Sequence, residues 1–245
     1  MAEKVKTALV LSAGAMFGAY QAGVWKGLVD RFQPDLIVGS SVGVLNGWGM
    51  AGGCAPEELA RLWLDAETGQ LLSFRKQAAL RRRAEELHRA YTPIIPFGMI
   101  ALEVPSLRLR LFRHADGVQE ISASHLLASC SIPVWFPPVP IGGQRFADGG
   151  VRSTLPIWAA AQMGATRVLA VDCLPDGRQG WYRWPAGILL PDRSGAPGVD
   201  VTILRPSQAL GGLRDILIWK RENIARWIAL GERDAAEWTP WTARI

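Results

Sequence analysis

Residues 34–53 read PDLIVGSSVGVLNGWGMAGG, and this stretch constrains the fold more than any other. A short apolar run at 36–38, rich in β-branched residues, is followed within a few positions by a helical pattern over 42–51. Between them lies Gly39-Ser40-Ser41-Val42-Gly43. A strand that turns so abruptly into a helix brings the two elements into close contact, and larger residues at Gly39 and Gly43 would crowd the turn. Gly-x-Ser-x-Gly between a strand and a helix is the setting of a nucleophile elbow. Two readings stand on these residues alone. Ser41 is a nucleophile whose oxyanion would face the N-terminus of the helix starting at Val42, or it is a helix cap in a small-residue turn.

The rest of the chain extends the same alternation. Further strands are expected at 7–11, 107–112, 145–147, 168–172 and 199–204, and helices at 18–32, 56–66, 77–89, 123–131, 156–163 and 213–237. Pro56 and Pro156 suit first-turn positions, where a missing N–H costs nothing. Several strands are continuous apolar runs, as buried parallel strands tend to be. The pattern predicts an α/β fold with a mainly parallel sheet covered on both sides. Residues 70–105, rich in Arg and Pro, and 174–198, a long loop, break the alternation and are read as inserts in a single domain spanning 1–245.

A serine hydroxyl needs a general base. The usual order for such folds is Ser, acid, His, yet His88, His114 and His125 all precede the best acidic candidate, Asp148. The remaining candidate base is Asp148 itself, in FADGGVRSTLP. Gly149 and Gly150 let the backbone turn close to another element, so Asp148 can be presented beside Ser41. A lone carboxylate works best as a base where desolvation raises its proton affinity. The alternative is an ordinary Asp-Gly turn, with the side chain bonded to its own backbone.

Composition excludes several classes. The 245 residues carry 49% hydrophobic and 20% charged residues, a composition suited to a large core. The net charge of +5 comes with no basic stripe interleaved with aromatics, which disfavours nucleic acid. Cys54, Cys130 and Cys173 form no CxxC pair or disulfide framework, pointing to a reducing, cytoplasmic setting. No segment approaches the roughly 18–20 apolar residues of a membrane span. The N-terminal run is read as a strand and not as a secretion signal. Neither GxGxxG nor GxxxxGK[ST] occurs between Leu11 and Tyr20, which disfavours a nucleotide.

Two blocks then change the balance at Ser41 and Asp148. The first is LVLSAGAMFGAYQAGVWKGL with DLIVGSSVGVLNG; the second is LLASCSIPVWFPPVPIGGQRFADGGVRSTLPIWAAAQMGATRVLAVD. In this order and spacing the chain resembles the patatin-like phospholipase family, with its glycine-rich loop, GxSxG, and Asp-Gly-Gly or Asp-Gly-Ala. ILRPSQALGGL near the end is also similar, whereas 70–105 and 174–198 lie outside the likeness.

The resemblance implies a three-layer α/β/α patatin-like fold and hydrolysis of lipid acyl esters of phospholipase A or carboxylesterase type. It implies Ser41 as nucleophile, Asp148 as base, an oxyanion hole at Gly14 and Ala15, supporting glycines at Gly18, Gly39, Gly43, Gly149 and Gly150, and neither metal nor organic cofactor. The family's loop usually reads Gly-Gly-Gly-x-Arg/Lys-Gly; here it is Ala13-Gly14-Ala15-Met16-Phe17-Gly18. This departure matters if Ala15 must take positive φ, and it keeps open a weakly catalytic lipid- or partner-binding protein; an acyltransferase using the same dyad is a further alternative. Of eleven Trp, Trp63, Trp135, Trp219 and Trp227 are expected in the core. Trp181, Tyr182 and Trp184, together with Arg183, suit a lid or peripheral membrane contact, or pack on the domain's own core.

Overall fold

The computed structural model describes residues 5–71, 77–115, 117–174, 195–212, 214–239 and 241. The expected loop carrying Trp181, Tyr182 and Trp184 lies outside them. The fold is mixed α/β, with a mainly parallel central sheet flanked by helices. In the sheet, β5 (Val118–Gln119), β4 (Arg108–Ala115), β3 (Phe97–Val104), β2 (Leu36–Gly39), β1 (Thr7–Leu11), β8 (Arg167–Val171) and β9 (Asp200–Leu204) lie side by side in that order. The run from β3 through β9 is parallel, and β4 and β5 add antiparallel strands at one edge.

Alternation along the strands explains why both faces are covered. In β1, Leu9 and Leu11 join the larger core with α1 (Gly18–Leu28), α2 (Val42–Ala51), α3 (Pro56–Leu64), α4 (Ala78–Ala90), α5 (Ala123–Ser129) and α7 (Arg221–Glu237). Ala8 and Val10 point the other way, into a smaller core with α6 (Ile157–Gln162). Each strand residue thus has an apolar partner on its own side, the two-faced burial that a parallel sheet requires. Trp63 and Trp227 are buried as expected, and Trp135 and Trp219 pack half-buried against the same core.

Three expectations change. The stretch 70–105 is more than an insert, because Phe97–Val104 within it form β3, an interior strand of the sheet. Its apolar sequence FGMIALEV is hidden among Pro93, Pro96, Pro105 and the arginines of α4. Strands β5 and β6 (Val139–Ile141) also form where none was expected; both are short hairpin partners. Finally, the last helix begins at Arg221 and not at 213. Residues before it are held in turns by long-range bonds: Met16 N–H donates to the Ile216 carbonyl and the Trp219 indole donates to the Trp63 carbonyl. Asp215 accepts from Gly212 N–H and Asn223.

β3 also organises the site. One of its edges carries β4. The other is shared end to end by two strands: β2 pairs with Phe97–Met99, and β7 (Gln144–Asp148) pairs antiparallel with Ala101–Val104. Strand β2 runs toward β7 and ends at Gly39 opposite Met99; β7 runs toward β2 and ends at Asp148 opposite Ala101. The two chains meet head to head and both turn off the sheet at the same place.

Candidate active site

This head-on meeting explains the geometry of the two residues singled out in the sequence. Ser41 sits two residues past the end of β2, at the N-cap of α2, with φ 53° and ψ −125°. Positive φ at a non-glycine residue carries strain of about 1–3 kcal/mol and persists only where the surroundings enforce it. Here they do. A Cβ on Gly39 would stand 2.4 Å from the Gly43 carbonyl oxygen, and one on Gly43 would stand 2.5 Å from the Leu11 carbonyl oxygen. The turn is therefore pressed against β1 at a distance only glycine permits. Ser41 N–H donates to Ser129 Oγ at 3.2 Å, and Ser129 Oγ donates onward to the Ile100 carbonyl at 2.7 Å, tying the turn to α5 and β3.

Ser41 Oγ donates to Asp148 Oδ2 at 2.6 Å. The other oxygen, Asp148 Oδ1, accepts from Gly150 N–H at 2.7 Å. One carboxylate oxygen thus faces Ser41 while the other bonds the segment's own backbone. Asp148 is fully buried and Ser41 is 3% exposed. Burial pushes the Asp148 carboxyl up from its ordinary 3.8 to about 7, against the opposing pull of the Ser41 and Gly150 hydrogen bonds. A carboxylate so placed is poised to take a proton near neutral pH. No histidine takes that position. His88 stacks on Trp48 at 5.2 Å, His114 meets the same ring edge-on, and His125 bonds Ser122 at the start of α5.

The loop after β1 brings Gly14 and Ala15 alongside. Ala13 N–H donates to the Thr154 carbonyl, Met16 N–H to Ile216 and Phe17 N–H to Gly14. Among the described residues no acceptor takes the N–H of Gly14, Ala15 or Val42. Ala15, Val42 and Ser41 line one apolar pocket with Met16, Cys130 and Ile132. Ala15 adopts φ 48°, a left-handed conformation that costs an alanine roughly 1–2 kcal/mol. Phe17, where the family usually carries Arg or Lys, is buried edge-on against Trp227 at 5.0 Å. A network of Gln21, Asn46 and Trp63 braces this loop: Gln21 Nε2 donates to the Ser12 carbonyl, Asn46 Nδ2 to the Gly18 carbonyl and Gln21 Oε1, and Trp63 Nε1 to Asn46 Oδ1. Gly18 packs against Val42 and Trp63, and Gly149 and Gly150 form the turn that follows Asp148.

The sequence alone assigns no role to Ser129 or Cys130. Both lie in ASCSIP, ahead of β6. Cys130 sits within hydrogen-bonding reach of Ser41; burial first, then the nearby Asp148 charge, hold its thiol well above the ordinary range. A thiol so placed stays neutral and is a poor nucleophile. Val42 was legible as the residue following the serine, whose N–H commonly serves an oxyanion.

Comparison with known proteins agrees with this picture. Residues 9–99 and 99–161 match the family model described as patatin-like phospholipase. Among solved structures, the fold is similar to VipD from Legionella pneumophila, with a TM-score of 0.51 and 12% identity over 95% of this chain and 66% of that one. It also matches the type III effector protein ExoU, with a TM-score of 0.46 and 12% identity over 96% of this chain and 52% of that one. The chain thus spans less than two thirds of either protein. The ordered motifs, the meeting of β2 and β7, and a family match covering more than half of its length together lead to one assignment: the chain belongs to the patatin-like phospholipase family.

Proposed function

We propose that the protein is a serine hydrolase of carboxylic esters in lipids, of phospholipase A or carboxylesterase type, working through an acyl-serine with Ser41 and Asp148. The observation that carries this reading is the 2.6 Å bond from Ser41 Oγ to Asp148 Oδ2 inside a buried site. As Ser41 Oγ attacks the acyl carbon, its proton passes to the Asp148 carboxylate. Negative charge collects on the carbonyl oxygen and is met by the free N–H groups of Gly14, Ala15 and Val42. Collapse breaks the ester bond, and the leaving alcohol or lysolipid takes the proton from Asp148. Water then attacks the acyl-serine with Asp148 again as base, releasing the acid and restoring the Ser41 hydroxyl.

The strained Ala15 and the buried Phe17 favour one second reading, a weakly catalytic member that binds lipid. The open N–H groups favour catalysis over that alternative, because alanine donates as glycine does. A peripheral membrane contact through Trp181, Tyr182 and Trp184 is part of the proposal on sequence grounds only, as is a cytoplasmic location. Among the described residues no helix is long and apolar enough to cross a membrane.

The test compares wild type, Ser41→Ala and Asp148→Asn on p-nitrophenyl esters and on a phospholipid. Both variants are expected to lose at least about 10³-fold in kcat/KM. Three proteins with equal rates would overturn the enzyme reading, and transfer of the acyl group to added glycerol would mark an acyltransferase.

A further inference from the structure

Strand β3 has one position at which its shared edge is interrupted. Met99 is the last residue opposite β2 and Ala101 the first opposite β7, so Ile100 between them pairs with neither. Ile100 is fully buried, and a buried carbonyl needs a donor. Ser129, the last residue of α5 and fully buried as well, supplies it: its Oγ donates to the Ile100 carbonyl at 2.7 Å. A hydroxyl has one proton to give and lone pairs left to accept. The carbonyl can only accept, so the direction of that proton is fixed. The lone pairs of Ser129 Oγ then face Ser41 and accept its N–H at 3.2 Å. One side chain thus fills the break in the ladder and holds the Ser41 amide.

The same short segment also reaches Asp148. Two residues on, the Ser131 carbonyl accepts Asp148 N–H at 2.9 Å. Ser131 is itself held from both helices around it. Its N–H donates to the Ala128 carbonyl at 3.1 Å, and its Oγ donates to the Leu127 carbonyl at 2.7 Å. Gln77, at the N-cap of α4, donates from Nε2 to Ser131 Oγ at 2.7 Å. Strands β2 and β7 share no ladder, so no strand pairing sets one end against the other. The turn from Ser129 to Ser131 spans the gap instead, with one grip on each backbone.

We propose that Ser129 is a positioning residue: together with Ser131 it clamps the amides of Ser41 and Asp148, and so sets the bond between their side chains. The proposal rests on the ester-hydrolase reading and adds a separate claim, about what holds the two residues in register. Ser129→Ala removes the partner of both Ser41 N–H and the Ile100 carbonyl. On p-nitrophenyl butyrate it is expected to lower kcat about 10²-fold while KM stays within about twofold. A looser turn also weakens the Ser41 hydrogen bond that pulls the Asp148 carboxyl down, so the midpoint of log kcat/KM against pH should move above about 7. Leu126→Ala is a core truncation in the same helix that touches neither grip. It should lower Tm yet leave kcat within about threefold and the midpoint in place.

Should Ser129→Ala not fold, Ser129→Cys replaces it, since a thiol keeps the volume but bonds weakly; kcat is then expected to fall at least about tenfold. A Ser129 variant with the wild-type kcat and midpoint, or a Leu126→Ala that loses as much kcat, would overturn the clamp and leave the hydrolase reading standing. If wild type hydrolyses no ester, the hydrolase reading fails, and the clamp is judged by amide hydrogen exchange at Ser41. Exchange at least about tenfold faster in the Ser129 variant than in Leu126→Ala supports the clamp, and equal exchange overturns it.

Discussion

Asp148 divides its two oxygens between two tasks, one holding the Ser41 hydroxyl and the other anchored by Gly150 N–H. Its burial has consequences for both rate and stability. The rate should rise as Asp148 ionises, so log kcat/KM against pH is expected to show an ascending limb with a midpoint near the elevated value of about 7. A midpoint near the ordinary 3.8 would contradict the desolvated carboxylate. The sign for stability is the reverse of a salt-bridged aspartate. Between 3.8 and about 7 the folded state holds a proton that the unfolded state has released, so this group makes stability fall as pH rises through that window. Asp148→Asn should flatten that slope in urea titrations across the window while abolishing turnover. Ala15 offers a second test at the same scale. Its φ of 48° suits glycine, so Ala15→Gly should stabilise the fold by about 0.5–1 kcal/mol, read from the urea midpoint. Destabilisation would mean that the alanine methyl contributes more packing than its backbone costs.

At the scale of elements, the site depends on two strands ending opposite neighbouring positions of a third. Gly43 keeps α2 against β1, because a Cβ there would stand 2.5 Å from the Leu11 carbonyl oxygen. Gly43→Ala should therefore cost about 1–3 kcal/mol in stability, with a lower Tm and a larger loss of activity than that loss of stability explains. An unchanged Tm would show that the turn is looser than the geometry requires. This scale also separates what the sequence revealed from what it hid. β1 and α2 were legible to the residue, because a local apolar run and a local Gly-x-Ser-x-Gly define them. β3 was not, since its apolar run is short and flanked by prolines and arginines that dominate the local composition. The last helix starts later than its sequence pattern suggests because residues ahead of it are held by Met16 and Trp63, partners far away in sequence. The pairing of Ser41 with Asp148 was reachable by the positions of the histidines and by resemblance, but the register on β3 that creates it was not.

Across the whole molecule, two differently composed cores hold the sheet from either side, and the site opens where β2 and β7 leave it. Ser41 and Asp148 lie buried there, 2.6 Å apart between Oγ and Oδ2. The buried Phe17 on Trp227 ties the loop after β1 to the last helix. The central claim is that Ser41, activated by Asp148, is the nucleophile. Incubation with a fluorophosphonate, followed by intact-mass measurement and peptide mapping, tests it most directly. The account predicts one adduct per chain on Ser41, absent in Ser41→Ala and formed much more slowly in Asp148→Asn. A label on another residue, or one retained in Ser41→Ala, would contradict it.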